Sequence, residues 1–302
     1  MSNFLKVISS QPAAIQCAFW CLISNVLLVF QLAVVRLIAD EINVFEIVFF
    51  RSLFSLIFVV PLLTKNARVL LHPNRVGIMI LCGALAFVAN VCFYFAAKYL
   101  PLADITAIHF TRPIFAAILA ALILKETLKG ARFIAICAGC IGAAIIIRPG
   151  IVELNIGILF VFGVVAAQTW NPINRRLLAL SEHPDALAVW NPLCIIPLAL
   201  LPTIFVWTTP SMELLAWMAL IGALEMLNQR VLARAYIHGE AVVVLALHYT
   251  RLPIAAVLGF FMFGDVPEIW IWVGGGVIIA GSFFLAYKEA KSEKTRTTNA
   301  TQ

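Results

Sequence analysis

The sequence predicts an all-α integral membrane protein with ten transmembrane helices, arranged as two inverted five-helix repeats. Three observations support this fold class: a composition that is 63% hydrophobic and 12% charged, a succession of apolar blocks, and an internal repeat of polar residues. Soluble domains typically carry about 25% charged residues. With a mean hydropathy of +1.02, a chain of 302 residues cannot hide its apolar surface from water, so lipid is its expected solvent.

Ten apolar blocks follow one another, most of them close to the roughly 20 residues that a helix needs to cross a membrane. The connections are short and carry turn or charge signals, so no soluble domain is inserted. We expect the first block to be a retained span because it is too long for a cleaved signal. A polar tail at 289–302 is predicted to be disordered and cytoplasmic. The blocks run over residues 13–35, 45–63, 76–97, 102–124, 133–147, 156–178, 186–207, 214–236, 242–263 and 269–287.

The positive charges predict the orientation of the chain. With the N-terminus in the cytoplasm, most of the 21 lysines and arginines fall on the cytoplasmic side. The positive-inside rule then places both termini in the cytoplasm, and we expect a multi-pass protein of a bacterial inner membrane. Because the basic residues are spread over alternate loops, nucleic acid is not an expected partner. The expected partners are a small metabolite and the lipid bilayer, and the oligomeric state is left open, with a monomer as one option.

Neither a metal nor a cofactor is predicted. The seven cysteines lie inside apolar blocks, where thiols act as small packing groups. Cys137 and Cys140 form a C-x-x-C, but without a flanking histidine or a second pair we interpret them as packing residues. No P-loop, H-E-x-x-H, G-x-S-x-G or G-x-G-x-x-G sequence stands in a usable context. ATP-driven pumping by this chain is therefore not expected.

An internal repeat relates the two halves of the chain. A shift of 139 positions superposes similar residues through several blocks, including a His-aromatic-Thr-Arg sequence. The shift predicts two five-helix repeats, at 13–148 and 154–288. Since five is odd, the second repeat enters the membrane from the opposite side, and two inverted bundles can alternate about a central site. The shift matches Arg36 with Arg175, Gly83 with Gly222, His109 with His248, Thr111 with Thr250, Arg112 with Arg251, and Glu126 with Asp265.

Short motifs carry a family resemblance. They are Phe50-Arg51-Ser52 in the second block, Tyr99-Leu100-Pro101-Leu102-Ala103 before the fourth, Pro113 within the fourth, and Leu124-Lys125-Glu126 at its end. With the five-plus-five plan, the chain resembles the EamA branch of the drug/metabolite transporter superfamily. The resemblance implies secondary transport of a small organic metabolite. It permits amino acids, nucleosides, sugars, riboflavin or toxic compounds as the substrate, in either direction.

Ionisable residues inside the apolar blocks mark the predicted site. Each costs about 2.5–3.5 kcal/mol at a helix centre and usually faces the bundle interior or water. His109 with Arg112, and His248 with Arg251, are three residues apart, so each of these two His–Arg pairs shares a helical face. The prolines that follow are predicted either to kink the helices or only to shape their packing; they are Pro113 and Pro253.

Arginines outnumber acids at this depth. Four arginines, among them Arg51 and Arg230, face one clear acid, Glu225. Arg112 and Arg251 therefore have no evident protein partner in the sequence. We expect an electropositive central cavity that accepts an anionic or zwitterionic substrate, amino-acid-like or related, because a guanidinium fork suits a carboxylate or phosphate. The alternatives are pairing with a buried carboxylate and snorkelling to the interface.

Other polar and aromatic residues extend the predicted site. Glu225, Asn228 and Gln229 fall on one helical face, where they either bind a substrate amino or amide group or hold helices together. His109, His248 and Glu225 are candidates for proton coupling, against the alternative of neutral, hydrogen-bonded histidines. The further candidates for substrate binding are Arg51, Asn90, Trp170, Asn171, Trp190, Asn191 and Tyr249, with Asn25, Gln31 and Gln168 as secondary hydrogen-bonding groups.

The predicted function is secondary transport of a small metabolite by alternating access, and not catalysis. Two alternatives stay open: an intramembrane enzyme that uses Glu225 with His109 or His248 as acid and base, and a metabolite channel. An enzyme does not explain the repeat. A substrate-sized site between unlike halves favours a carrier over a channel.

Overall fold

The computed structural model describes residues 13–71, 75–112, 115, 131–147, 155–169, 186–238, 244, 247–281 and 283–284. Within these residues every regular element is a helix and no strand occurs, which confirms the all-α prediction. Pro113, Trp170, Asn171 and the tail at 289–302 lie outside the described residues. The helices are α1 Ala13–Ile38, α2 Val44–Leu71, α3 Val76–Tyr99, α4 Leu102–His109, α5 Ala131–Ile147, α6 Ile156–Thr169, α7 Ala186–Phe205, α8 Met212–His238, α9 Arg251–Phe263 and α10 Ile269–Gly281.

Two of the described helices are long and apolar enough to cross a membrane by length and composition. They are Ile15–Ile38 in α1 and Val76–Tyr99, each of 24 residues, with mean hydropathies of 2.2 and 2.4. At 1.5 Å per residue, 24 residues extend about 36 Å, more than the roughly 30 Å of hydrocarbon. The described parts of α5, α6, α7, α9 and α10 include shorter apolar helices. The long helices α2 and α8 carry charged residues near their middles, at Arg51 and Glu225.

The largest helix interfaces join the first half of the chain to the second. Helix α1 packs on α8, α3 packs on α6 and α7, and α2 packs on α7 and α8. The short α4 packs on α9, and α9 also contacts α1. One apolar core runs through these interfaces, with contributions from α1 to α4 and from α6, α8 and α9. The two halves therefore form one helical body, and the polar residues that interrupt the apolar blocks lie at its internal interfaces.

A close approach between α8 and α2 depends on glycine at position 222. A Cβ added to Gly222 would lie 2.7 Å from the backbone oxygen of Arg51 and 2.9 Å from the backbone nitrogen of Ser55. Backbone atoms cannot turn aside as a flexible side chain can. The missing side chain thus lets α8 reach the turn of α2 that carries Arg51.

We expect Gly222→Ala to destabilise the folded protein by about 1–3 kcal/mol, the usual cost of overpacking. The matched control is Gly276→Ala in α10, where an added Cβ meets nothing within 4 Å. Because alanine is the better helix former, the control should be as stable as the parent or slightly more so. Thermal unfolding in detergent measures both, and equal midpoints for the two variants would contradict the packing role of Gly222.

Candidate functional site

The two His-aromatic-Thr-Arg sequences form matching turns that face each other. Helix α4 ends at His109, and a turn at Tyr249–Thr250 precedes α9. In each turn a threonine hydroxyl donates to the carbonyl three residues earlier at 2.7 Å, Thr111 to Ile108 and Thr250 to Leu247. The rings of Phe110 and Tyr249 meet edge to face, with centroids 4.9 Å apart. The repeated sequence thus forms two similar turns, one from each half of the chain, that contact each other at the interface of the halves.

The second His–Arg pair is held by an amide from α1. Arg251 Nε donates to Asn25 Oδ1 at 2.7 Å, and Asn25 Nδ2 donates to Leu247 O and Thr250 Oγ1 at 2.8 and 2.9 Å. The Nδ1 atom of His248 lies 2.9 Å from Arg251 Nη2 and 3.0 Å from Asn25 Oδ1. A guanidinium only donates and an amide oxygen only accepts, so the imidazole tautomer decides which of these two contacts is a hydrogen bond.

The first His–Arg pair has the same arrangement, with an amide from α6. Gln168 Oε1 accepts from Arg112 Nη1 at 3.2 Å and lies 3.2 Å from His109 Nε2. Both Arg112 and Arg251 lie within electrostatic range of His109. Each pair is therefore bound to an amide contributed by the other half of the chain.

These contacts correct one expectation from the sequence. Arg112 and Arg251 do have protein partners, Gln168 for the first and Asn25 and His248 for the second. Counting carboxylates missed them because the partners are amides on distant helices. Asn25 and Gln168 were only secondary candidates, yet they are the residues that tie the two His–Arg pairs into the bundle.

A second polar cluster, formed by Arg51, Glu225 and Tyr94, joins α2, α8 and α3. Arg51 is 2% exposed, its Nη1 lies 3.3 Å from Glu225 Oε2, and its guanidinium lies over the Tyr94 ring at 5.5 Å. Glu225 also accepts from Gln229 Nε2 at 2.9 Å, and Gln31 Nε2 donates to the Tyr94 hydroxyl at 3.0 Å. The sequence left open that an arginine pairs with a buried carboxylate. Arg51 does so with Glu225. The possible partner of Glu225 on its own helix, Arg230, is exposed.

The remaining predicted residues are less central. Asn228 is buried and accepts from Ser24 Oγ at 2.6 Å, so it joins α8 to α1. Asn90 and Asn191 are half-buried on α3 and α7. Trp190 packs beside a small apolar cluster around Val59.

Pro253 does not lie in a helix interior. It is the exposed third residue of α9, where a proline costs no helical hydrogen bond. The kink predicted at this proline is instead the turn at Tyr249–Thr250.

At the far end of α1, two contacts that the sequence reasoning missed also join the halves. Arg36 forms a two-armed ion pair with Asp265, and its guanidinium lies 4.3 Å from the centroid of the Phe263 ring. The buried carboxylate of Glu46 accepts from both the backbone N–H and the hydroxyl of Thr208, at 2.5 and 3.0 Å. A cavity of about 140 Å³ lies beside this ion pair, with Asp104, Asp265 and Glu268 in its lining. The repeat contained the signal, because Arg36 and Asp265 are both matched positions.

The helical turn before Asp265 positions its side chain. Gly264 ends α9 with a positive φ of 71°, a conformation that favours glycine. The N–H groups of Gly264 and Asp265 donate to the carbonyls of Phe260 and Gly259 at 3.0 and 3.2 Å, the pattern of a glycine-terminated helix. The ion pair is thus built onto a helix end that is capped by glycine and two backbone hydrogen bonds.

Comparison with known proteins places the chain in a family. The profile of the EamA-like transporter family matches residues 15–148. A riboflavin transporter of Vibrio cholerae is 30% identical over 80% of this chain and 82% of its own length. An S-adenosylmethionine uptake transporter of Rickettsia prowazekii is 24% identical over 92% of this chain and 94% of its own. A crystal structure at 15% identity aligns with a TM-score of 0.60 over 91% of this chain and 98% of its own, which shows a common fold. The chain therefore belongs to the EamA-like transporter family, whose members are integral membrane proteins.

Proposed function

We propose that this protein is a secondary transporter of a small organic metabolite, which it binds between the two His–Arg pairs and moves across the bacterial inner membrane by alternating access. The observation that carries the proposal is the meeting of the two pairs at the interface of the halves, each held by an amide from the opposite half. The related transporters named above carry riboflavin and S-adenosylmethionine, both small metabolites. The family and these relatives favour transport over the alternative of an intramembrane enzyme.

Equivalent contacts support two inverted five-helix repeats and hence ten spans, and the distribution of positive charge supports termini in the cytoplasm. A Cβ on Gly83 would meet Cys194, and a Cβ on Gly222 would meet Ser55. The shift of 139 positions matches Gly83 with Gly222 and Ser55 with Cys194, so the two contacts join equivalent positions with the halves exchanged. The same shift matches Phe110 with Tyr249, and the rings of these two residues are in contact. Contacts exchanged in this way between two related halves are expected of a two-fold axis between them.

Alternating access requires contacts that close each side in turn. We take the Arg36–Asp265 ion pair, which we call the latch, as the closure on the side opposite the cytoplasm. The hydrogen bonds from Thr208 to Glu46 reinforce it, because they also join the two halves. The repeat matches the latch residues with Arg175 and Glu126, which lie outside the described residues.

An anionic or zwitterionic substrate, amino-acid-like or related, fits the chemistry of the site. The guanidinium groups of Arg112 and Arg251 contact amide oxygens and an imidazole. An amide oxygen is a neutral acceptor, whereas a carboxylate or phosphate adds Coulombic attraction and can accept two parallel N–H bonds from one guanidinium. A substrate carboxylate or phosphate would therefore be favoured over these amide oxygens as a guanidinium partner.

A thermal-shift screen of the purified protein against a metabolite library identifies a binder, because a specific ligand stabilises the folded state by mass action. In proteoliposomes we expect uptake of that compound to saturate and to be accelerated by unlabelled compound trapped inside. Such counterflow requires a site that reorients with its cargo. Unsaturable flux would favour the channel alternative, and chemical conversion of the compound would favour the enzyme.

The same proteoliposomes test proton coupling through His109, His248 or Glu225. An imposed pH gradient should accelerate uptake if transport is coupled to protons. If replacing one of these residues with glutamine abolishes that acceleration, the residue carries the coupled proton. A rate that ignores the gradient would leave the histidines as hydrogen-bonding groups, the role that their contacts with Gln168 and Asn25 support.

A further inference from the structure

The Arg51–Glu225 pair differs from the His–Arg pairs because the repeat does not duplicate it. The position equivalent to Arg51 in the second half holds Trp190, and the position equivalent to Glu225 in the first half holds Ala86. Contacts that serve alternation are expected in both halves, since each side must close in turn. A charged pair present once is better suited to distinguish one substrate from another.

Arg51 has hydrogen-bonding capacity that the described residues do not use. Its side chain is 3% exposed, yet its Nε and Nη1 atoms have no hydrogen-bond acceptor among the described residues. The 3.3 Å between Nη1 and Glu225 Oε2 is an ion-pair distance without hydrogen-bond geometry. The ion pair with Glu225 offsets part of the cost of burying Nη1, whereas Nε has no acceptor among the described residues, and such a donor costs about 1–3 kcal/mol. A ligand oxygen beside Nε would remove that cost.

Glu225 is the reachable member of the pair. Its side chain is 23% exposed, and Gln229 on the same helix holds one of its oxygens. Asn228 connects this part of α8 to Ser24, the neighbour of Asn25 in α1. Ser24 and Asn25 of α1 therefore link the Arg51–Glu225 pair to the second His–Arg pair.

The charges of the pair select the kind of group that fits. A lone cation brought to Glu225 would be repelled by Arg51, and a lone anion brought to Arg51 would be repelled by Glu225. A group that carries both charges side by side meets an opposite charge at each end. Entry requires only that the Glu225 side chain turn from Arg51 toward the incoming cation, while the incoming anion takes the donors of Arg51.

We propose that Arg51 and Glu225 form a second subsite that recognises a zwitterionic head group, an ammonium beside a carboxylate as in a free α-amino acid, and that this subsite sets substrate choice. The carboxylate binds Arg51, the ammonium binds Glu225, and the rest of the molecule extends toward the His–Arg pairs. This assignment rests on the proposed transport function and narrows its substrate class.

The test compares each of the free L-amino acids with its amide, which lacks the carboxylate, and its N-acetyl derivative, which lacks the ammonium. We expect at least one free amino acid to raise the unfolding temperature of the wild-type protein, with neither derivative doing so at the same concentration. Glu225→Gln should weaken binding of the free amino acid by about 10- to 100-fold, the loss of one charged hydrogen bond. It should also make the N-acetyl derivative bind as well as the free amino acid, because its repulsion from Glu225 is gone.

That loss of preference separates recognition from a merely structural role, which would weaken binding of all three compounds alike. Glu213→Gln, an exposed glutamate on the same helix, is the matched control and should behave as wild type. If Glu225→Gln does not fold, the three-compound comparison on wild-type protein still decides. Equal stabilisation by a free amino acid and its derivatives overturns the proposal. So does a screen in which no amino acid binds while another metabolite shows saturable counterflow, and that result leaves the proposed function intact.

Discussion

Replacing Arg251 with glutamine is expected to weaken substrate binding by about 10- to 100-fold without unfolding the protein. The estimate follows from the loss of one charge-assisted interaction with the substrate, about 1.5–3 kcal/mol, where 1.4 kcal/mol is a factor of ten. Glutamine keeps an N–H donor for the Asn25 oxygen that Arg251 contacts at 2.7 Å, so the turn before α9 retains its link to α1. Arg112→Gln should act in the same direction, because Arg112 occupies the equivalent place beside Gln168.

Equilibrium binding of the compound found by thermal shift measures the effect, and counterflow shows whether transport falls with it. Arg230→Gln is the matched control, because it removes an exposed arginine from α8 at the edge of the same bundle. It should bind as wild type does. Unchanged binding and uptake in both Arg112→Gln and Arg251→Gln would remove the electropositive site from the mechanism.

Much of this site was predictable because charge inside an apolar block is expensive. That cost identified both His–Arg pairs, and the 139-residue shift related one pair to the other from the sequence alone. The structure places His248 and Arg251 in contact even though a turn, and not a continuous helix, separates them. Spacing of three residues brings side chains together in a tight turn as well as in a helix.

The partners of these residues could not be predicted in the same way. Arg51 pairs with Glu225 because α2 packs closely on α8 at Gly222, a contact between residues remote in sequence. The sequence predicted Asn25 only as a secondary substrate-binding group and not as the partner of Arg251, because local spacing carries no information about which helices become neighbours. The latch was missed for another reason. Its residues lie at helix ends, where charged residues normally face water and are therefore not expected to mark a buried contact.

Exchanging the charges of the latch is expected to test alternating access directly. Arg36→Glu places two acids together and Asp265→Lys places two bases together, so each variant should reduce uptake by at least about tenfold. The intact two-armed pair is only 21% and 19% exposed, and charged hydrogen bonds of this kind contribute about 1.5–3 kcal/mol. The double variant restores opposite charges and should recover much of the uptake. Asp40→Asn is the control, because Asp40 is 83% exposed in its pair with Lys98 and such surface pairs contribute little. Full uptake in both single variants would exclude the latch from the transport cycle.

Loss of the latch is also expected to change hydrogen exchange at one end of α9. The amides of Gly264 and Asp265 are hydrogen-bonded at the end of α9 and report on the latch by hydrogen exchange. Asp265→Asn breaks the latch, so exchange over residues 259–268 should rise. General destabilisation would raise exchange in every described helix, whereas loss of the latch should raise it at this end of α9 and leave α3 unchanged. An equal rise in α3 would therefore contradict a local role of the ion pair.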